Sequence, residues 1–160
     1  DKKVFKEIYA SGNTVGIFQF ESAEARNMSI AAHVDNIEDV IAINASNRPG
    51  TKNSFPDYCK NKLCPESIQC IHPDLKKLFQ KTWGILLYQE DSLHLLAYAG
   101  FNEVEQDTGR RAIGKKKKDV MASLYTQFAD GLRKKQWTEQ QIKEVWALLE
   151  KQAEYSFNRG

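Results

Sequence analysis

Hydrophobic positions recur at helical spacing along most of this chain. The apolar residues between Val4 and Tyr9 lie three and four positions apart, which predicts a first helix that stops near Gly12. Capping residues, among them Ser22, Asn36 and Thr138, mark the starts of later helices. The predicted later helices cover residues 23–32, 36–46, 57–62, 74–81, 89–99, 103–113, 118–135 and 138–153.

Two short apolar runs do not follow this helical spacing. VGIFQF, at residues 15–20, is rich in β-branched and aromatic side chains, so it predicts a strand or an extended buried segment. WGILLY, at residues 83–88, predicts either a second strand or a buried lead-in to the helix that begins at Gln89. The predicted fold is therefore mainly α, with several helices and at most one short β pair.

Length and composition are those of an ordinary globular domain. The chain has 160 residues, of which 41% are hydrophobic and 28% charged, enough to bury one core.

The chain has no apolar run of the ~20 residues that a membrane span needs and no signal-peptide pattern, so we expect a cytoplasmic protein without membrane partners. Three cysteines fit a reducing compartment. The missing initiator methionine and the abrupt end at SFNRG predict a fragment of a larger protein.

Positive charge is concentrated in one short segment. Residues 110–118, RRAIGKKKK, hold six cations and no carboxylate in a chain of net charge +2, and the acidic stretch EVEQD at 103–107 precedes them. Adjacent arginines offer planar forks that suit phosphate oxygens, and lysines add charge for a phosphate backbone. The segment therefore predicts a phosphate-binding site, in which Gly114 would permit a sharp change of direction.

Known catalytic patterns are not matched. Residues 109–115, GRRAIGK, satisfy the spacing of a phosphate-binding P-loop, but Lys116 replaces the required Ser or Thr and no apolar strand leads in. The acidic pairs at 38–39 and 90–91 would diverge by about 100° on a helix, so neither pair would hold a metal jointly. We expect no catalytic residue and no metal site in this chain.

Three cysteines and a histidine form a loose cluster in the sequence. Cys59, Cys64, Cys70 and His72 have spacings wider than those of common structural zinc sites. Reduced thiols and a packed histidine are the favoured interpretation. A zinc-stabilised interaction domain stays open as an alternative.

Six sequence blocks together resemble one family. They are similar, in order and across nearly the whole chain, to the fingers region of the bacterial DNA polymerase III α subunits, the C-family replicative polymerases. The blocks are TVGIFQFES (14–22), IAINASNRPG (41–50), IHPDL (71–75), TWGILLYQED (82–91), GRRAIGKKK (109–117) and YSFNRG (155–160). Departures such as Gly109 before the paired arginines indicate a divergent member, bacterial or phage.

The resemblance implies a domain organisation. Residues 1–50 would form the junction between palm and fingers together with the first helices. Residues 51–160 would form the helical fingers, with a nucleotide-facing basic segment at 109–118.

The resemblance also implies site residues. Arg110, Arg111 and Lys115 would hold the triphosphate of the incoming dNTP. Gln89 and Glu90 match a further motif, whose role in binding or in structure stays open. The implied DNA contacts are Arg48, Lys116, Lys117, Lys118, Tyr155, Asn158 and Arg159.

The implied activity is DNA-directed DNA synthesis, in which two metal ions on palm carboxylates promote nucleotidyl transfer to a primer 3′-hydroxyl. Those carboxylates have no match here, so we expect no cofactor on this chain, Mg²⁺ on the palm, and an inactive isolated fragment. Implied partners are primer-template DNA, dNTP, the palm and thumb of the same polypeptide and replisome subunits. A non-catalytic helical module that binds nucleic acid through the same basic run is the alternative.

Overall fold

The computed structural model describes residues 1–48, 51–115, 118–155 and 158–159. These residues form a mainly helical chain, as predicted. Helix α1 (Lys2–Val4) continues into a π-helical turn (Phe5–Tyr9). The remaining helices are α2 (Ala23–Ala31), α3 (Ile37–Ser46), α4 (Phe55–Leu63), α5 (Pro73–Leu78), α6 (Gln89–Tyr98), α7 (Glu103–Gly114), α8 (Lys118–Arg133) and α9 (Glu139–Tyr155). Short 3₁₀ turns lie at Lys52–Ser54, Pro65–Ser67 and Gln80–Thr82.

Side-chain caps explain where the helices begin. The Asn36 side-chain oxygen accepts from the Asp39 amide at 3.1 Å at the start of α3. At the start of α9, the Thr138 hydroxyl accepts from the Gln141 amide at 3.2 Å, and the Gln141 side chain accepts from the Thr138 amide at 3.0 Å. The predicted capping box is therefore confirmed.

Neither structure predicted for residues 15–20, a strand or an extended buried segment, is correct. These residues fold as turns, and no strand occurs in the described part of the chain. The Thr14 hydroxyl donates to the Phe20 carbonyl at 2.5 Å and closes the loop locally, so the β-forming residues have no partner strand. Phe20 is buried, whereas Val15 and Phe18 are 75% and 83% exposed.

The second apolar run is a buried lead-in to α6, which was one of its two predicted forms. Two hydrophobic clusters meet along it, because Leu86 packs in one and Leu87 and Tyr88 pack in the other. The cluster that contains Leu86 lies among α5 to α9, and the cluster that contains Leu87 and Tyr88 lies among α2, α3 and α4. The Asp91 carboxylate fixes the junction, since it accepts from the amides of Leu87 at 2.9 Å and Tyr88 at 2.7 Å.

A buried ionic cluster holds α3 against α4. The Lys62 ammonium donates to Asp39 at 2.6 Å and to the carbonyls of Ala32 and His33 at 3.0 and 2.9 Å. The Tyr58 hydroxyl donates to the same Asp39 carboxylate at 2.7 Å, and burial and that carboxylate raise the pKa of Tyr58. Because Asp39 is fully buried, these contacts fix the orientation of α3 and of the residues beside it.

Glycines allow two close helix contacts. A Cβ at Gly131 in α8 would overlap the carbonyl of Ala99, which follows α6. A Cβ at Gly114, the last residue of α7, would lie 2.5 Å from the Ala153 carbonyl oxygen of α9. Gly114 ends α7, as the predicted helix end requires, but without a left-handed φ, and its lack of a side chain admits the backbone of α9.

Within the described residues, no helix is both long enough and apolar enough to cross a bilayer.

Candidate phosphate-binding site

Helix α7 carries the paired arginines near its C-terminal end. Its buried residues, Gly109, Ala112 and Ile113, face neighbouring helices and fix the rotation of α7. Successive side chains on a helix diverge by about 100°, so Arg110 and Arg111 differ in exposure. The Arg111 side chain is 65% exposed and that of Arg110 only 19%. Arg111 is therefore largely open to solvent, whereas Arg110 is mostly covered by its surroundings.

One carboxylate holds both guanidinium groups. Asp107 lies one turn before the arginines, and its Oδ1 accepts from Arg110 Nη2 at 3.3 Å and from Arg111 Nε at 3.2 Å. Its Oδ2 lies 2.8 Å from Arg111 Nη2, so Arg111 binds the carboxylate with two nitrogens. The Asp107 side chain is 46% exposed, which leaves this cluster open to an anion from solvent.

Lys115 follows the arginine pair at the C-terminal end of α7. Lys115 caps the C-terminus of α7, where its exposed cation offsets the negative end of the helix dipole. Lys116 and Lys117 lie outside the described residues. The side chains of Lys118 and Tyr155 lie outside them too, although the backbones belong to α8 and α9.

The structure brings Arg159 to a different acidic partner. Its Nη2 lies 2.5 and 2.6 Å from the two carboxylate oxygens of Glu38 in α3, and the bond to Glu38 raises the pKa of the Arg159 guanidinium. Its backbone amide donates to Glu90 in α6 at 3.0 Å. Lys81 lies 3.7 Å from the same Glu38 carboxylate, so two cations share this acid. A cleft of about 510 Å³ is lined in part by Lys81, Glu90, His94 and Arg159.

Asn158 and Arg48 are the two remaining predicted DNA contacts among the described residues. Asn158 is exposed beside Arg159. Arg48 is half-buried after α3, and its carbonyl accepts from the amides of Thr51 and Lys52 at 3.2 and 3.0 Å. The structure thus joins Arg110 to Arg111 through Asp107, and it joins Arg159 to the motif that contains Glu90.

The sequence interpretation missed both acidic partners. Asp107 stands three and four positions before the arginines, the spacing at which charged side chains meet on a helix, so its role was available from the sequence. Glu38 lies 121 positions from Arg159, and no sequence signal connects them.

The four candidate zinc ligands do not converge. The described residues, which include all four, hold no group of three side chains that could bind a metal. Cys59 is buried, and burial raises the pKa of its thiol to about 11. His72 caps α5 by accepting from the Asp74 amide at 3.2 Å, and its ring stacks on Trp137 with centroids 4.1 Å apart.

Comparison with known proteins gives one consistent family. Residues 1–136 match the sequence model of the bacterial DNA polymerase III alpha subunit finger domain. The chain is 34% identical to DNA polymerase III subunit alpha of Staphylococcus epidermidis, 36% to that of Aquifex aeolicus and 35% to that of Bacillus subtilis, in each case over its full length. It spans only 15%, 14% and 14% of those relatives, respectively.

Proposed function

Because this chain belongs to the finger-domain family of bacterial DNA polymerase III alpha subunits, we propose that it holds the triphosphate of the incoming dNTP during DNA replication. Arg110, Arg111 and Lys115 bind the triphosphate in this proposal. The surrounding DNA contacts come from Arg48, the lysines at 116–118, and Tyr155, Asn158 and Arg159. The polymerase activity belongs to the longer polypeptide of which this chain forms a part.

The observation that carries the proposal is the arginine pair held by Asp107. Arg111 already binds a planar anion with two nitrogens, and phosphate oxygens accept the same fork of donors. The side chains of the Arg111–Asp107 ion pair are 65% and 46% exposed, and exposed ion pairs contribute about 0.2–1 kcal/mol. A polyphosphate, which carries several negative charges, can therefore replace the Asp107 carboxylate at a low cost in free energy.

In this proposal the chain acts by electrostatics and positioning. Guanidinium groups that are fixed before the reaction stabilise the negative charge that develops on the phosphates as the nucleotidyl group is transferred. Mg²⁺ would activate the primer 3′-hydroxyl as the nucleophile and offset the negative charge of the reacting phosphate. The described residues offer no cluster that fits such ions, so we assign Mg²⁺ to the palm of the longer polypeptide.

The test is the KM for dATP in primer extension by the full-length polymerase. Replacing Arg110 and Arg111 by alanine removes charge-assisted hydrogen bonds, each of about 1.5–3 kcal/mol, so we expect the KM to rise at least tenfold. The melting temperature should change little, because Asp107, the carboxylate that pairs with both arginines, lies in the same helix and is half-exposed.

A matched control is available in α8. Arg133 pairs with Asp130 three positions earlier at 2.7 Å, and it also binds Glu139, but it lies outside the basic segment. Arg133→Ala should leave the KM for dATP unchanged. An unchanged KM in the double alanine variant, or an equal rise in the control, would contradict the proposed site.

A further inference from the structure

Asp107 is placed as an internal substitute for phosphate. Its two oxygens contact three guanidinium nitrogens of two arginines, at 2.8 to 3.3 Å. This is the geometry that an external phosphate oxygen pair would adopt on the same two side chains. The carboxylate and a bound phosphate therefore compete for one set of donors.

We propose that Asp107 is a regulatory carboxylate that occupies Arg110 and Arg111 until a polyphosphate displaces it, and so lowers the affinity of this site. The inference rests on the proposed function, because it assumes that these arginines bind phosphate. Once phosphate is bound, the displaced carboxylate stays on the same helix turn. Its negative charge then opposes the negative charge of the ligand.

Competition and simple positioning predict opposite changes in the affinity for polyphosphate when Asp107 is replaced by asparagine. If Asp107 mainly oriented the arginines for the ligand, its neutral isostere would weaken polyphosphate binding. If Asp107 competes with the ligand, Asp107→Asn frees both guanidinium groups and removes a nearby negative charge. We expect the affinity for polyphosphate to rise about threefold to tenfold. This is somewhat more than the loss of one exposed ion pair would give, because the repulsion between Asp107 and the ligand is removed as well.

The matched control is Asp130→Asn. Asp130 also pairs with an arginine three positions away in a helix, and its side chain is 56% exposed, close to that of Asp107. Because Arg133 lies outside the basic segment, this variant should bind polyphosphate like the unmodified protein.

The experiment is a calorimetric titration of the full-length polymerase with inorganic tripolyphosphate. It compares Asp107→Asn, the double variant Arg110→Ala with Arg111→Ala, and the triple variant that combines all three changes. Tighter binding by Asp107→Asn that vanishes in the triple variant, with no effect of Asp130→Asn, supports the competition.

Two results would overturn it in distinguishable ways. Weaker or unchanged binding by Asp107→Asn, while the double alanine variant binds more weakly than the unmodified protein, rejects the competing carboxylate and keeps the proposed site. Unchanged binding by the double alanine variant rejects the proposed site and the competition together.

Discussion

The arginines of α7 and Arg159 are both paired with carboxylates, but over very different distances along the chain. Arg111 and Asp107 lie four positions apart in one helix, whereas Arg159 and Glu38 lie 121 positions apart. The side chains of the first pair are 65% and 46% exposed, and those of the second are 37% and 31% exposed. The same residue type thus serves in one exchangeable local pair and in one shielded long-range pair.

This difference distinguishes an ion pair that is free to exchange with a ligand from an ion pair that holds parts of the fold together. The α7 pair joins no two elements, so a ligand can take it over without disturbing the fold. The Arg159 contacts tie the chain to α3 through Glu38 and to α6 through Glu90. We therefore expect changes at Arg111 to alter mainly binding. Changes at Glu38 should alter stability, because Glu38 holds Arg159 in place, although Arg159 itself is also a proposed DNA contact.

The largest expected effect comes from Gly114, which lies where α7 meets α9. In Gly114→Ala the new Cβ would lie 2.5 Å from the Ala153 carbonyl oxygen, so α9 must move and both arginine sites are disturbed. We expect a loss of about 1–3 kcal/mol in the free energy of unfolding, measured with urea.

Gly109→Ala is the control in the same helix. A Cβ there would meet Leu124 and Leu96 at 3.6 Å, an ordinary contact, so the gain in helix propensity should stabilise by about 0.5–1 kcal/mol. A shift of the free energy of unfolding in the same direction in both alanine variants would contradict the tight approach of α9 to Gly114.

A smaller effect is expected from Glu38→Gln. The change keeps the shape of the side chain but removes the charge that binds Arg159, so we expect to lose about 0.5–1 kcal/mol of stability, less at high salt. Glu24→Gln, which breaks the more exposed pair with Lys52, is the control in the same urea titration. Equal losses in the two variants would show that the Arg159 contact is no stronger than an ordinary surface pair.

The smallest effect on stability is expected from Asp107→Asn. Ion pairs at this spacing on an exposed helix contribute about 0.3–0.5 kcal/mol, so the free energy of unfolding should fall by no more than that. A loss larger than that of Glu38→Gln would contradict the contrast between the two pairs and would make Asp107 a structural residue.

Local signals explain what could be predicted from the sequence. Caps such as Asn36 and the periodic apolar residues act over a few positions, so the helices were predicted to within a few residues of their ends. The arginine pair was equally visible, because the two residues are neighbours in the sequence, although their side chains diverge by about 100° on the helix. The i to i+4 spacing of Asp107 was visible too, but its acidic stretch was interpreted as a separate block.

Tertiary packing explains what could not be predicted. The β-forming residues around Phe18 find no strand to pair with in the described part of the chain, and Thr14 closes them into a loop. The close approach of α9 explains why residue 114 is a glycine, and only the fold brings Glu38 to Arg159. None of these three contacts leaves a pattern in the sequence near the residues involved.

The most direct test of the central claim is a crystal structure of the full-length polymerase with primer-template DNA and dATP. We predict that Arg110 and Arg111 both bind oxygens of the triphosphate, at about 2.7–2.9 Å, with Asp107 turned away from Arg111. A triphosphate bound elsewhere, with Asp107 still paired to both arginines, would contradict the account.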